Sequence, residues 1–383
     1  MDGLFNPIYY TAEHRAFASS IKRFVEKEIS PYVNEWDEAE TFPRELYQKA
    51  ASVGLLGLGF DAEHGGIPDA DAFYVMLAAI EMAKAASGGV HISLMIHSIG
   101  TPPIHHFAQP GIRDQVMPQI IAGEKISALA ITEPSGGSDV AAIKTKAVRE
   151  GDYYILNGEK TFITSGMRAD WITVAVRTGE EKGASGLSLI LVPGDSAGLR
   201  RSRLHKMGWQ CSDTAQLFFD GVRVPASHLV GAEGQGFRAI MHNFNGERLG
   251  IACGALGFAQ ACYDEALAWA QQRKTFGVTL NQHQVIRHKL VDIRSTEAWL
   301  NAVAARADGG DTGADWVGEV CVLKNHATQT MQFCADTAVQ ILGGMGFMRG
   351  TVSERIYREV KVLTIGGGTE EIMKELAARQ WRI

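Results

Sequence analysis

The sequence predicts an α+β multidomain fold: an N-terminal α-helical domain over 1–125, a middle antiparallel β-barrel or sandwich over 126–231, and a C-terminal four-helix bundle over 232–383. Three observations carry this expectation. Apolar residues recur at helical spacing on both flanks, the period falls to that of short strands between them, and no helix-length segment interrupts those strands, which argues against a parallel sheet. A chain of 383 residues is also too long for one ordinary core.

In the first region Phe17, Ile21, Val25 and Ile29 recur every four residues until Pro31 ends the run. Pro43 opens a second segment that closes at Gly54, and residues 70–98 carry Ala- and Met-rich helical stretches. From 126 the pattern changes. Asp152–Leu156, Asn157-Gly158 and Glu159–Thr164 read as strand, tight turn and strand, because Asn-Gly is the strongest short hairpin signal. Trp171–Val176, Gly186–Val192 and Ala215–Val224 are further β-rich runs divided by Gly, Pro, Ser and Asp. Helical segments return at 236–272, about 283–307, 314–342 and about 370–380, with Asp308–Gly313 (DGGDTG) as a loop. Cys253, Gly254, Ala255 and Gly257 are small enough to let neighbouring helices approach closely.

Composition excludes several classes of function. With 46% hydrophobic and 21% charged residues the chain is neither disordered nor low-complexity. A net charge of −6 and the lack of any nucleic-acid module argue against a nucleic-acid partner. No apolar run approaches the roughly 20 residues that span a bilayer. The five cysteines, Cys211, Cys253, Cys262, Cys321 and Cys334, form no CxxC pair, as in a reduced intracellular protein. Met1–Phe5 lacks the features of a signal peptide, so the expected location is cytoplasmic, or the mitochondrial matrix for a form lacking its targeting segment. The 12 histidines include no HExxH pair, and His105-His106 point to different faces of any regular element, so no metal is expected. A GxSxG elbow is absent as well.

Four segments stand out. Thr132–Asp139 (TEPSGGSD) follows the apolar run Ile126–Ile131; such a turn is either plain surface or a place where backbone N–H groups and hydroxyls meet a flat cofactor or a phosphate. Phe162–Ser165 (FITS) sets an aromatic face beside a hydroxyl. Gln340–Phe347 (QILGGMGF) is glycine-rich but follows a helical run and lacks GxGxxG spacing, as does Gly231–Gly236, so an NAD-type Rossmann site is not expected. Ile365–Glu371 (IGGGTEE) reads as a flexible approach to a capped helix, its acids serving the helix dipole or its amides a ligand.

Together these segments resemble the acyl-CoA dehydrogenase family. AITEPSGGSDVAA at 130–142 and QILGGMGF at 340–347 are similar to the family's two signature segments. LNGEKTFITSG at 156–166, KMGWQCSDTAQLFFDGVRVP at 206–225 and RKTFG at 273–277 follow in the family's order, so the match runs nearly end to end. The resemblance implies FAD, an acyl-CoA substrate, an electron-transfer flavoprotein as electron acceptor, and a homotetramer built as a dimer of dimers. It implies that Leu129, Ile131, Thr132 and Gly137 line the flavin, that Thr164 donates toward flavin N5, and that Phe162 covers the flavin face where relatives often carry Trp. Ser138 would serve the FAD pyrophosphate or the acyl-CoA. Arg273, Thr275, Phe276, Gln284, Gln340, Gly343 and Gly344 would reach the FAD of a neighbouring subunit, and Thr369 and Glu371 would complete the contacts.

The reaction implied is α,β-dehydrogenation of the thioester to the trans-2-enoyl-CoA. A base takes the α-proton and a hydride leaves the β-carbon, while a backbone N–H in Gly366–Gly368 helps hold the thioester oxygen. Many members carry the base in that loop, where this chain has Gly367. Isovaleryl-CoA, long-chain and citronellyl-CoA dehydrogenases instead carry it on the first long C-terminal helix, directly before an Arg. Here that pair is Glu247-Arg248, with Asn245 and Arg248 expected to position the thioester end. Glycine at 367 is expected to leave space near the acyl α- and β-carbons, which would suit branched as well as medium or long chains. An acyl-CoA oxidase or flavin monooxygenase on the same fold, and a non-catalytic FAD-binding scaffold, are the competing expectations.

Overall fold

The structure, a computed structural model, describes residues 8–383 apart from 96, 182, 285–294 and 310–312. Its N-terminal region is helical. Helix α1 (Ala12–Glu28) starts at Thr11, whose hydroxyl accepts from the His14 amide, and it buries Ile21, Phe24 and Val25. Helices α2 (Val33–Ala39), α3 (Glu45–Ser52), α4 (Ala72–Ala83), α5 (Gly88–Met95), α6 (His97–Gly100), α7 (Pro102–Phe107) and α8 (Pro110–Ile121) follow.

The middle region forms β1 (Ser127–Ala130), β2 (Lys146–Glu150), β3 (Tyr153–Ile163), β4 (Trp171–Arg177), β5 (Leu187–Pro193), β6 (Leu199–Arg203), β7 (Ala215–Pro225) and β8 (Leu229–Val230). The sheet order is β6-β7-β3-β2-β4-β5-β8. Pairing is antiparallel except where β1 runs parallel to β4 and where Lys146 meets Arg177. That parallel pair is a departure from a wholly antiparallel sheet.

The expected hairpin turn at Asn157-Gly158 is a correction. β3 runs straight through these residues, and the register against β7 shifts between Leu156 and Gly158. The glycine serves a bulge, with φ +145°, and a Cβ there would lie 2.7 Å from Thr145 Cα. Asn157 is also occupied: its Oδ1 accepts from the Gly221 amide at 2.9 Å. The turn joining β2 to β3 lies instead at Gly151-Asp152, where Gly151 has φ +59°.

The C-terminal region opens with α9 (Gly236–Gln272), in register with the sequence expectation, and a small hairpin of β9 (Lys274–Thr275) and β10 (Val278–Thr279). Then come α10 (Ser295–Asp308), α11 (Ala314–Leu342), α12 (Val352–Ile365) and α13 (Glu370–Trp381). Of the helix expected at 283–307, residues 285–294 lie outside the described residues, as do Met1–Phe5 and residues 310–312 of the expected loop. Helix α12 was not foreseen. Its apolar residues Val352, Ile356, Val360 and Leu363 do recur at helical spacing, and Ser353, Arg355 and Glu359 are buried beside them.

The two helical regions share one hydrophobic cluster, which runs from Ile21 and Leu77 through Leu256 and Phe258 to Val320 and Leu363. Glu359 then ties the three regions together. From α12 its carboxylate accepts from the Gly88 amide at 2.8 Å and the Trp209 amide at 3.2 Å. Burial pushes that carboxyl up to about 7.

Gly158→Val should lower stability by roughly 1–3 kcal/mol, because the strand must move away from Thr145 or accept strain. The midpoint of denaturant unfolding measures this; a midpoint equal to that of the parent would refute the bulge reading.

Candidate active site

Helix α9 brings the acidic candidate to the sheet. Phe237, Met241 and Phe244 pack with Leu129 against a cluster that includes Ile104, Ile131, Leu189 and Ile240. Asn243 pins the helix from the other side, its Nδ2 donating to Ile99 O at 2.8 Å. Glu247 follows Phe244 by three residues and so lies one turn further along the same side of the helix.

Glu247 is half-buried as a residue, yet its Oε2 is sealed from solvent and accepts no hydrogen bond among the described residues. Burial pushes its carboxyl up to about 7, opposed by the positive charges of Arg248 and Lys324. A carboxylate poised there can accept a proton at neutral pH. Because its pKa lies above the ordinary value, Glu247 contributes stability in the acid range, and that contribution is lost as pH rises through about 7.

The glycine loop faces it. A Cβ on Gly367 would lie 3.6 Å from Glu247 Oε1, so loop and acid are neighbours. The same Cβ would come within 2.6 Å of Ile251 Cδ1, and φ is +68°. The space expected beside Gly367 is therefore taken by Ile251, one turn beyond Glu247. This corrects the expectation of an open region.

Two buried cations hold the loop in place. Arg248 Nε donates to Gly367 O at 3.3 Å, and its Nη1 donates to Asn245 Oδ1 at 3.0 Å. Lys324, fully buried on α11, donates to Gly368 O at 2.8 Å. Burial pulls the Lys324 ammonium down to about 8 against the pull of Glu370. Next to it Asn325 donates to Glu370 O at 3.0 Å and Gln329 to Glu370 Oε2 at 2.9 Å, so Glu370 fastens α13 to α11. Thr369 caps α13, its hydroxyl accepting from the Ile372 amide at 3.3 Å. Glu371 is exposed, and its carboxyl is held low by backbone and hydroxyl hydrogen bonds at the same helix start.

The segments expected to line a flavin are also brought together. Thr161 N donates to Thr132 O at 2.8 Å, which places Ile131 and Thr132 beside the end of β3. Beneath them Lys160, fully buried, donates to Ile131 O at 2.9 Å and to Glu133 Oε1 at 2.8 Å. Glu133 further accepts from the amides of Lys144 and Thr145. Above this buried pair Phe162 stands 69% exposed with φ 60°, an unfavourable backbone for an aromatic residue. Thr132 and Thr164 are half-buried there, while Gly137 and Ser138 are exposed on the turn closed by the paired amides and carbonyls of Glu133 and Gly136. A bare aromatic face ringed by hydroxyls and a glycine turn fits an isoalloxazine ring, and the residues present accept the group.

The residues expected to serve a neighbouring subunit lie apart from this wall, on the surface. Phe276, at the hairpin tip, is 99% exposed with φ 51°. Arg273, Gln284 and Gln340 are exposed, and Thr275 shares a 3.2 Å contact with His283 Nε2. Gly343 and Gly344 have open space where side chains would be, and Phe347 beside them is 86% exposed.

Sequence reasoning missed Lys324, Lys160 and Ile251. Lys324 had a readable signal, since a lone lysine in the run VCVLKNHA falls on the apolar face of its helix. Lys160 and Ile251 had none.

Comparison with known proteins agrees with this geometry. Residues 11–124, 128–222 and 234–381 match the N-terminal, middle and C-terminal domains of acyl-CoA dehydrogenases respectively. The chain belongs to the acyl-CoA dehydrogenase family. It is a flavin-dependent oxidoreductase that acts on the CH–CH bond of an acyl-CoA. It is 36% identical over 384 residues to the mitochondrial long-chain specific acyl-CoA dehydrogenase of Rattus norvegicus, covering 97% of this chain and 87% of that one. A probable acyl-CoA dehydrogenase from Mycobacterium abscessus superposes with a TM-score of 0.93 at 45% identity, covering 97% of this chain and 100% of that one. Butyryl-CoA dehydrogenase from Megasphaera elsdenii gives a TM-score of 0.93 at 30% identity, covering 99% and 100%. Among the described residues no helix is long and apolar enough to cross a membrane.

Lys324→Met should slow flavin reduction by acyl-CoA and move the midpoint of its pH profile upward, because a positive charge that favours ionised Glu247 is gone. Stopped-flow bleaching across pH 5–9 measures both. A midpoint that stayed in place or fell would refute the coupling.

Proposed function

We propose that Glu247 is the base that removes the α-proton during α,β-dehydrogenation of an acyl-CoA to its trans-2-enoyl-CoA. The observation that carries this reading is the sealed, unbonded Oε2 of Glu247 beside the Gly367 loop, in a chain with no acid at 367. Bound FAD supplies a two-electron acceptor for the β-hydride. Leu129, Ile131, Thr132, Gly137, Ser138, Phe162 and Thr164 would hold and cover it, and Thr369 and Glu371 would extend the contact.

The chain's own residues divide the remaining work. An amide of Gly366–Gly368 meets the negative charge that develops on the thioester oxygen, and preorganised donors of this kind contribute strongly because they need no reorientation. Arg248 and Lys324 keep that loop in place through its carbonyls. Asn245 and Arg248 position the thioester end, with Ser138 toward the CoA side. Ile251, against Gly367, bounds the space near the α- and β-carbons. A medium, long or branched acyl chain is the substrate class we infer.

Assembly completes the cofactor site in this proposal. The bare Phe276, the exposed Arg273, Gln284 and Gln340, and the open Gly343-Gly344 turn are disposed to meet the FAD of a second copy, within a dimer of dimers. An electron-transfer flavoprotein would be the acceptor of the electrons.

Two experiments test this. Glu247→Gln keeps side-chain size but cannot accept the proton, so the variant should bind acyl-CoA while bleaching its flavin about 10²–10⁴-fold more slowly. Anaerobic stopped-flow spectra with a panel of acyl-CoAs report it, and bleaching at the parent rate would defeat the assignment. Arg273→Ala should weaken FAD retention, since it deletes a partner for phosphate. A stable monomer holding FAD as tightly as the parent assembly would rule out the shared site.

A further inference from the structure

We propose that Asp61, His64 and His105 form a binding site for one divalent transition-metal ion of the zinc class, on a surface that shares no residue with the flavin and acyl sites. One potential ligand atom from each residue lies within 4.8 Å of the other two. Asp61 is the N-cap residue of the short turn Ala62–His64 and His64 ends it, while His105 projects from α7, so tertiary folding brings His105 to the other two.

Both imidazoles keep a buried ring nitrogen without a hydrogen bond, next to a carboxylate. His64 is almost wholly buried, and its Nε2 lies 3.2 Å from Asp114 Oδ1 and 3.8 Å from Glu63 Oε1. A carboxylate at Nε2 favours the tautomer with the proton there, and this leaves Nδ1 as a basic lone pair. That Nδ1 is buried and accepts no hydrogen bond. The same is true of His105 Nδ1, whose nearest anionic neighbour is Asp61 Oδ2 at 3.7 Å. Metal-bound histidines commonly pass their other N–H to a carboxylate in this way, which fixes ring orientation and raises basicity. His105 is further held by an edge contact with Phe60, ring centroids 5.3 Å apart, and by His106 at 4.6 Å.

The donor set selects the ion. Two imidazoles and one carboxylate suit zinc with a water in the fourth position, whereas calcium and magnesium favour oxygen donors alone. Bonds of about 2.0–2.1 Å set tetrahedral ligands about 3.4 Å apart. The 3.7 Å pair is near that spacing already, and the half-exposed Asp61 has freedom to close the rest. The carboxylates of Asp61, Glu63 and Asp114 supply negative charge, with Arg113 Nε at 3.2 Å from Asp114 as a local counter-charge. An open cleft of about 390 Å³, lined by His64 together with Gln48, Gly57, Ile67 and Ile121, gives solvent access to a side chain that is otherwise enclosed. A bound ion would staple the 61–65 turn to α7.

The test uses the flavin-loaded full chain, stripped of metal with a chelator and dialysed against zinc chloride, with bound zinc measured by mass spectrometry. The parent should take up about one zinc per chain. His64→Gln and His105→Gln should each weaken uptake at least ten-fold, Asp114→Asn by roughly 10–100-fold as an outer partner, and His106→Gln should match the parent. Flavin content reports that each variant is folded. Should the buried His64 variant fail to fold, Asp61→Asn at a half-exposed position decides the question by the same loss of zinc. A parent that binds no zinc above the dialysis buffer, or folded His105→Gln and Asp61→Asn variants that bind as the parent does, overturns the proposal.

Discussion

The catalytic region depends on two cations buried to hold one glycine loop. Arg248 from α9 and Lys324 from α11 each donate a hydrogen bond to a carbonyl of that loop, at Gly367 and Gly368. Removing a charge from water costs several kcal/mol, and charge-assisted hydrogen bonds to carbonyls, together with nearby carboxylates, offset it. The same two charges act on Glu247. Burial drives its pKa upward and the cations draw it back, so the acid settles at about 7. One arrangement thus positions the loop and sets the proton affinity of Glu247.

The sheet uses the same device beneath Phe162. Lys160 and Glu133 form a buried pair that grips the Ile131 carbonyl and the amides of Lys144 and Thr145. With that segment pinned to β3, Phe162 can be held in a left-handed conformation whose cost is about 1–3 kcal/mol. An exposed aromatic side chain on strained backbone has no packing reason within the chain itself. A flat cofactor provides one, which is why the residues present fit a flavin.

Gly367, Glu247 and Ile251 have coupled surroundings. Because 367 is glycine, the loop can take φ +68° and Ile251 can sit where a side chain would have been. Glu247 and Ile251 are four residues apart on α9, so the helix presents proton acceptor and apolar wall together. Glu359 keeps the wider frame in register, since a single carboxylate on α12 accepts from the start of α5 and from the Trp209 loop of the middle region. Each coupling joins segments distant in sequence.

Much of this was legible in one dimension. The period of apolar residues and the placement of Pro31, Pro43 and Gly54 marked the first helices, and the α9 span was readable because a long run of helix formers meets glycine at its start. The Glu247-Arg248 pair and the FITS and TEPSGGSD segments were legible too, since their chemistry lies in neighbouring residues. Asn157-Gly158 misled because the signal for a turn is local, whereas the close approach of Thr145 that demands glycine comes from another strand. Helix α12 was legible in the spacing of Val352, Ile356, Val360 and Leu363, but the burial of its polar residues was not, because their partners lie elsewhere, as Gly88 and Trp209 do for Glu359. By itself, then, the sequence determined the helix–strand–helix order of the three regions and the segments and acid on which the proposed site rests. Tertiary structure alone decided that Lys324 would reach Gly368, that Ile251 would fill the space at Gly367, and that Asp61, His64 and His105 would converge. Those contacts join residues tens of positions apart, and their energies come from burial, which exists only once the chain is folded.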